Sequence, residues 1–547
     1  MTDAAELFRE AASAAIEDYL RLEPESATNL GDHRYDDRLD DRSADGLSRI
    51  SSAYKEHKST ISQIDPGSLD AADQVDREML LGALEMKIFA IDELREFEWN
   101  PLFYNAGDSL FPLVARQTVP VPDRLRSIAA RLEQIPSVVE LARDQLQNAP
   151  KVHLETAVAQ NSGTLLLVGE EVNRVLQSDL SLAATVTPAQ QAARRALEEY
   201  GRFLEEKLAA SDSAADGGDN FRIGRDRFDR KLNLSLNSDI PAGGVLRRAE
   251  DHLDQITVEM EEACRRYLES IGSANGLTGA EAIRRALDVV AESHPDNDTV
   301  VDLATSSLEE ATSKVRETGI ATIPDDAMSV HVMPEFRRGV AVAYCDPPGP
   351  LESGGETFLA VAPTPETWPR EQADSFYREY NSAMVTNLIV HEAMPGHGLQ
   401  LAVARRYIGS TPVRRVFWSG SFVEGWAVHA ERLMAGAGLG GLAVRISQLK
   451  MQLRMTINAI LDAGVHAQDM TEEQALELMM GRGFQEMGEA SGKWRRACLT
   501  SAQLSTYFVG YTELDDLFER LGTRSNYDFA LAHGSPPPRL LAKLIKS

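Results

Sequence analysis

Helical periodicity runs through almost the whole 547-residue chain and constrains its fold more than any other feature. Apolar residues that recur every three to four positions share one face of a helix, which has about 3.6 residues per turn. In Ala4–Leu22, the residues Leu7, Ala11, Ala15 and Leu20 fall close to one face. Similar patterns cover residues 48–97, 122–146, 243–268, 278–293 and 298–317. Thr187-Pro188-Ala189-Gln190 reads as a helix start, with Thr as cap and Pro at the first helical position. Thr471-Glu472-Glu473-Gln474 has the form of a capping box. Residues 24–43, dense in Asp and Arg, read as a polar loop.

The texture changes near Ile320. Ser329–Met333, Val340–Tyr344 and Thr357–Val361 are short runs rich in β-branched or aromatic residues, separated by Pro and Gly clusters. They predict a small antiparallel sheet of two to four strands inside a mainly α protein. Residues 211–220, SDSAADGGDN, resemble a flexible linker. The expected organisation is an N-terminal helical lobe, 1–240, and a C-terminal helical lobe, 241–547. The second lobe holds the sheet (about 320–362) and a pair of motif helices (about 371–435).

Composition excludes some function classes. Lys and Arg number 56 against 84 Asp and Glu, a net charge of −28, which argues against nucleic acid or an anionic membrane as partner. Three widely spaced cysteines are too few for a disulfide framework or a Cys-based zinc site and point to a reducing compartment. The N-terminus carries acidic residues where a signal peptide needs a basic flank, and no run of about 18 apolar residues occurs. A soluble, cytoplasmic protein is expected.

The most informative segment is His391–Gln400, HEAMPGHGLQ, after the apolar stretch NSAMVTNLIV. A His-Glu pair at the end of a buried helix, with another His soon after, outlines a zinc hydrolase site. Zinc takes neutral imidazole nitrogens and often keeps a position open for water, and an adjacent carboxylate can take that water's proton. His391 and His397 are therefore candidate ligands and Glu392 the candidate general base. Their spacing of six would separate them by about 240° on a regular helix. Pro395 and Gly396 supply a break, and a bulge there would wind His397 back towards His391.

A third ligand is expected from Ser421–Leu433, SFVEGWAVHAERL, with Ser421 as cap and Phe422, Trp426 and Leu433 as packing residues. Glu424 and Glu431 lie two turns apart on one face. Glu424, nearer the helix start, is the preferred ligand, and Glu431 would orient a ligand from behind. A core histidine and a solvated acidic face are the bland alternatives for these same residues.

HEAMPGHGLQ followed by VEGWAVHAERL resembles the HExxPGHxxQ and EGWAxYxE signature of the bacterial domain of unknown function 885 family. The opening PESATNLGDHRYDDRLDDRS, the central IGRDRFDRKL and the late LAHGSPPPRLL are also similar to that family, so the resemblance spans nearly the whole chain. It implies a helical, zinc-dependent hydrolase distantly similar to carboxypeptidase Taq, thimet oligopeptidase and angiotensin-converting enzyme. Those are two-lobed ellipsoids with a central cleft. Matched position by position, the pattern supports His391, His397 and Glu424 as ligands and Glu392 as base. Where the family usually has Tyr, this chain has His429, which would alter substrate contact or approach the metal.

On the substrate side, Tyr507 follows Gln503 by four, resembles a QxxxY feature of the family, and is the candidate electrophile opposite the metal. Arg496 could bind a substrate carboxylate. His533, in a Gly/Pro-rich turn, and Tyr344, beside DPPGP, are candidate cleft-lining residues. An edge strand, Val340–Tyr344 or Thr357–Val361, could hold an extended peptide by main-chain hydrogen bonds. The leading expectation is zinc-dependent cleavage of amide bonds in short peptides. A metal-dependent enzyme acting on a small-molecule amide, and a non-catalytic binding protein that keeps the fold, are the alternatives.

Overall fold

The computed structural model describes residues 4–211, 221–238, 240–274, 276–326, 328–333, 342–352, 354–522 and 526–545. Helices account for 73% of it, as the periodicity predicts. The expected linker, apart from Ser211, and the first two residues of Val340–Tyr344 lie outside the described residues.

The chain forms two compact units. The first comprises Met1–Ile223 together with Gly349–Gly355 and Gly409–Phe417; the second comprises Gly224–Pro348, Glu356–Ile408 and Trp418–Ser547.

In the first unit, α1 (Ala4–Leu22) buries Phe8, Ala12, Ala15, Ile16 and Tyr19. The stripe is displaced from the predicted one, and Leu7 is 45% exposed, because the larger Phe8 and Tyr19 take the inward positions. The expected polar loop at 24–43 contains a short helix, α2 (Pro24–Leu30). It opens on proline and closes on Gly31, whose φ of +89° suits a left-handed cap. Its polar residues are structural. Arg42 forms a bidentate pair with Glu25 at 2.7 and 2.9 Å, and the buried Arg131 donates to Thr28 Oγ1 at 2.5 Å.

The core of this unit lies between α3 (Val121–Gln145) and α4 (Ala183–Ser211), which bury Leu125, Ile128, Leu132 and Ile135 against Val186, Ala193 and Leu197. Helix α4 starts at Ala183, earlier than the predicted Thr187-Pro188 cap, and carries Pro188 inside it. Fully burying Val186 contributes about 1.5–3 kcal/mol, enough to offset much of the missing backbone donor. The Gly409–Phe417 segment is fastened to this unit by a buried ion pair, Arg414 Nε to Asp76 Oδ1 at 2.6 Å.

The second unit carries the motif. Helices α5 (Ala242–Ser270) and α6 (Val300–Thr318) precede three strands, β1 (Met328–Val332), β2 (Ala343–Asp346) and β3 (Thr357–Val361). The strand order is β1-β3-β2. β2 pairs with β3 antiparallel, Cys345 opposite Leu359, while β1 pairs with β3 parallel, Met328 opposite Thr357. The sheet is therefore mixed, not antiparallel as predicted. A two-residue alternation marks a strand whichever way its neighbour runs. β3 is paired along both edges, so the expectation that Thr357–Val361 could take a peptide as an edge strand is overturned.

Leu359, Val361 and Ala343 of the sheet pack with Val385, Ile389 and Val390 of α7 (Ser382–Glu392). Helices α8 (His397–Arg405), α9 (Gly420–Gly436), α10 (Gly441–Ala467), α11 (Met487–Leu499) and α12 (Ser505–Leu521) complete the surroundings of the motif. The capping box predicted at Thr471 and Gln474 is present on both sides. Among the described residues, no helix is long and apolar enough to cross a membrane.

Candidate metal centre

Helix α7 is capped by Asn381, whose side chain accepts from Met384 N–H, and its buried face carries His391 to the final turn. The chain then breaks instead of bulging. The Met394–Pro395 bond is cis, and a separate helix, α8, begins at His397. Gly396 is required for space: a Cβ there would lie 1.9 Å from His391 O and 2.4 Å from Val390 O. The turn is held by Trp426, fully buried on α9, whose Nε1–H donates to Pro395 O at 2.8 Å. Two helices meeting end to start thus replace the widened single helix, and the rings of His391 and His397 stand 4.7 Å apart and nearly perpendicular.

Helix α9 supplies the carboxylates. Its cap is Ser419, which accepts from Phe422 N–H, so the helix starts just before the expected Ser421. Glu424 Oε2 lies 3.5 Å from His391 Nε2 and 3.4 Å from His397 Nε2. These three side chains form a group whose ligand atoms all lie within 4.8 Å of one another. Glu431 is two turns along the same face; its Oε1 is 2.7 Å from His391 Nδ1 and its Oε2 accepts from Asn387 Nδ2 at 2.6 Å. That bond makes Nδ1 a donor and directs Nε2 towards Glu424.

Two histidine nitrogens and a carboxylate oxygen converging in this way repel one another unless a proton or a metal cation sits among them. Tetrahedral zinc with bonds of about 2.0–2.1 Å separates its ligand atoms by about 3.3–3.4 Å, close to both measured distances. Among the described residues, the buried atoms Glu424 Oε2 and His397 Nδ1 have no hydrogen-bond partner, and the donor set fits a divalent first-row cation. The electrostatics agree. Burial would raise the pKa of Glu424, but His391 and His397 hold it well below the ordinary carboxylate range. Burial opposes a charged His391, yet Glu424 and Glu431 hold its pKa well above the usual histidine value. The pocket is built to stabilise positive charge.

Glu392 leaves the same helix end towards β2, where its Oε2 accepts from Cys345 N–H at 3.1 Å. This N–H, on the edge of β2 turned away from β3, fixes the carboxylate beside His391.

Tyr507 reaches the centre through a close helix crossing between α9 and α12. A Cβ at Gly425 would lie 2.3 Å from Gly510 C, and one at Gly510 would lie 1.9 Å from Ser421 O. Backbones this near bring Glu424 and Tyr507 into one neighbourhood. Burial raises the phenol pKa, Glu424 raises it further, and Arg496 and His391 lower it. The turn before Tyr507 is pinned by buried Asp462, which accepts from Ala502 N, Ser505 N and Ser505 Oγ at 2.7–2.9 Å. Arg496, exposed on α11, donates from Nη2 to Gln503 Oε1 at 3.0 Å.

The remaining candidates are His429, Tyr344 and His533. His429 is 3% exposed, enclosed by Phe518, Tyr527 and Trp426 at ring distances of 4.9, 5.3 and 6.1 Å, with Nδ1 3.5 Å from Asp515. It is outside the metal group, because five residues turn a helix by about 140° beyond a full circle from Glu424. Its expected substrate or metal contact gives way to a core role. Tyr344 packs against Met333, Ala360 and Ala362. His533, half-buried, opens the turn whose Ser535 accepts from Gln400 Nε2 at 2.8 Å and from Ser419 N–H at 2.8 Å, tying α8 to α9. Asn387, Cys345, Asp462, Gly425 and Gly510 escape sequence reasoning; only the two glycines, each mid-helix at some cost in propensity, leave a signal.

The model of a family described as bacterial proteins of unknown function, DUF885, matches residues 24–545. The chain belongs to the DUF885 family. No curated protein matches it. This DUF885 chain is similar to a candidate lipoprotein of unknown function from Shewanella oneidensis, 28% identical, with 99% of this chain and 100% of that one covered and a TM-score of 0.83. It also shares its fold with a candidate lipoprotein from Colwellia psychrerythraea, 15% identical, covering 100% and 99% of the two chains at a TM-score of 0.79.

Proposed function

We propose that this DUF885 protein is a zinc-dependent hydrolase of amide bonds in short peptides. The observation that carries the reading is the convergence of His391 Nε2 and His397 Nε2 on Glu424 Oε2 at 3.5 and 3.4 Å, with a carboxylate, Glu392, at the next position after the first ligand. Zinc held by these three groups would polarise the scissile carbonyl and acidify a water. Glu392, steadied by Cys345 N–H, would take a proton from the water as its oxygen bonds to the carbonyl carbon, and return it to the amine nitrogen as the C–N bond breaks. Tyr507 O–H donates to the carbonyl oxygen as negative charge builds there. Glu431 holds His391 in the tautomer that keeps Nε2 free.

The three cysteines are free thiols, and we keep the cytoplasm as the working location; cell fractionation tests it against the lipid attachment that the names of the two similar structures suggest for those proteins. The net charge of −28 disfavours nucleic acid and anionic membranes as partners.

The decisive experiment is Glu392→Gln. The variant is expected to bind about one equivalent of zinc while hydrolysis of a dipeptide and tripeptide library falls by roughly 10²–10⁴-fold. Substantial turnover by the variant, or wild-type protein that takes up no metal on titration, would overturn the assignment.

A further inference from the structure

Around Glu489, the four cations Lys450, Arg454, Lys493 and Arg496 share a neighbourhood with the two carboxylates Glu379 and Glu489. Lys450 Nζ lies 2.8 Å from Glu379 Oε2, and Arg454 Nη1 lies 3.6 Å from Glu379 Oε1. Arg454 Nη2 also bonds Glu489. Glu379 and Glu489 are thus committed to Lys450 and Arg454.

Lys493 and Arg496, one turn apart on α11, are left over. Arg496 donates to the neutral amide of Gln503, lies near the Tyr507 hydroxyl, and makes no ion pair among the described residues. Lys493 is half-buried and has no carboxylate within ion-pair distance among the described residues; Glu489, one turn back, is engaged by Arg454. Burial and the like charges of Arg454 and Arg496 push the Lys493 ammonium down to about 7 in spite of Glu489. A half-buried ammonium crowded by two guanidinium groups costs free energy that a bound anion would recover. An exposed guanidinium beside an ammonium suits a carboxylate, which the planar fork grips through two parallel N–H groups.

The position gives the anion its meaning. Arg496 is held by Gln503, and Tyr507 is one turn further on. Glu424 and His391 act electrostatically on the Tyr507 hydroxyl, and the close approach of Gly425 to Gly510 sets the helix of Glu424 against the helix of Tyr507. An anion at Lys493 and Arg496 is therefore a near neighbour of the metal group. We propose that Lys493 and Arg496 form a recognition site for the free carboxylate of the substrate, so that the protein selects peptides cleaved close to their C-terminus. The identity of the substrate rests on the hydrolase reading; the anion site rests on the charges.

Binding separates the two. Calorimetry with the zinc-loaded Glu392→Gln protein would compare N-acetyl-alanyl-phenylalanine with its C-terminal amide. The acid is expected to bind at least about tenfold more tightly, a difference of about 1.4 kcal/mol. Arg496→Met and Lys493→Met should each weaken the acid and leave the amide unchanged. Arg496 is exposed, so its variant keeps the test valid if Lys493→Met fails to fold. Equal affinity for acid and amide, or a preference that survives Arg496→Met, would overturn the carboxylate site even if hydrolysis is established. A preserved acid preference in a wild-type protein that cleaves nothing would instead overturn the hydrolase and leave the anion site standing.

Discussion

Gly425 on α9 and Gly510 on α12 meet backbone to backbone, with room for no Cβ on either side. This crossing lets the helix that carries Glu424 lie against the helix that carries Tyr507, and it makes two small residues part of the architecture of the candidate centre.

Gly510→Ala should therefore be among the more damaging small substitutions. Its Cβ would press on Ser421 O at 1.9 Å, and overpacking of this kind costs typically ~1–3 kcal/mol. Gly492→Ala, on the helix surface of α11 with nothing within 4 Å, should instead be neutral or gain about 0.5–1 kcal/mol. Chemical denaturation of the two variants gives the comparison; equal stabilities would show that the crossing can relax. Zinc affinity should fall only in the first.

Glu431 acts through His391. Replacing it with Gln leaves the shape but removes the charge that fixes Nδ1–H and supports Asn387. Metal affinity is expected to fall by roughly 10–100-fold, the usual effect of losing a carboxylate behind a ligating histidine, with little change in helix content. Competition against a chromogenic chelator measures it, and unchanged affinity would remove Glu431 from the centre.

The first unit should show its own pH dependence through His33. The hydrogen bond to Asp36 at 2.8 Å and the nearby carboxylate of Glu352 at 3.7 Å outweigh burial and raise its pKa to about 9. The folded form then binds a proton that the unfolded chain, near 6.5, releases. Stability from this contact is fully present below about pH 6.5 and is lost as pH rises towards 9. Denaturation midpoints measured between pH 6 and 9.5 should decline less steeply for His33→Asn than for wild type. Parallel profiles would mean that the imidazolium contributes nothing.

Much of the site was legible from residue types and spacing. HEAMPGHGLQ marked two candidate ligands and a candidate base, and Glu424 and Glu431 were legible as candidates because two helical turns return a residue to the same face. The route by which His397 comes back to His391 was not legible. A break and a bulge satisfy the same spacing, and only packing of Trp426 on the Pro395 carbonyl distinguishes them. His429 shows the reverse case: a family position that suggested chemistry turns out to be enclosed by Phe518 and Tyr527.

Periodicity and motif chemistry, being local, were written into the sequence: a mainly helical chain, three strands in the right place, and a His, His, Glu donor set. Strand order, the parallel pairing of β1, the Gly425–Gly510 crossing and the reach of Cys345 N–H to Glu392 were decided only in three dimensions. Each depends on which distant surfaces meet. A side-chain pattern records that a face is buried, and the partner it is buried against is fixed by the packing of the whole unit.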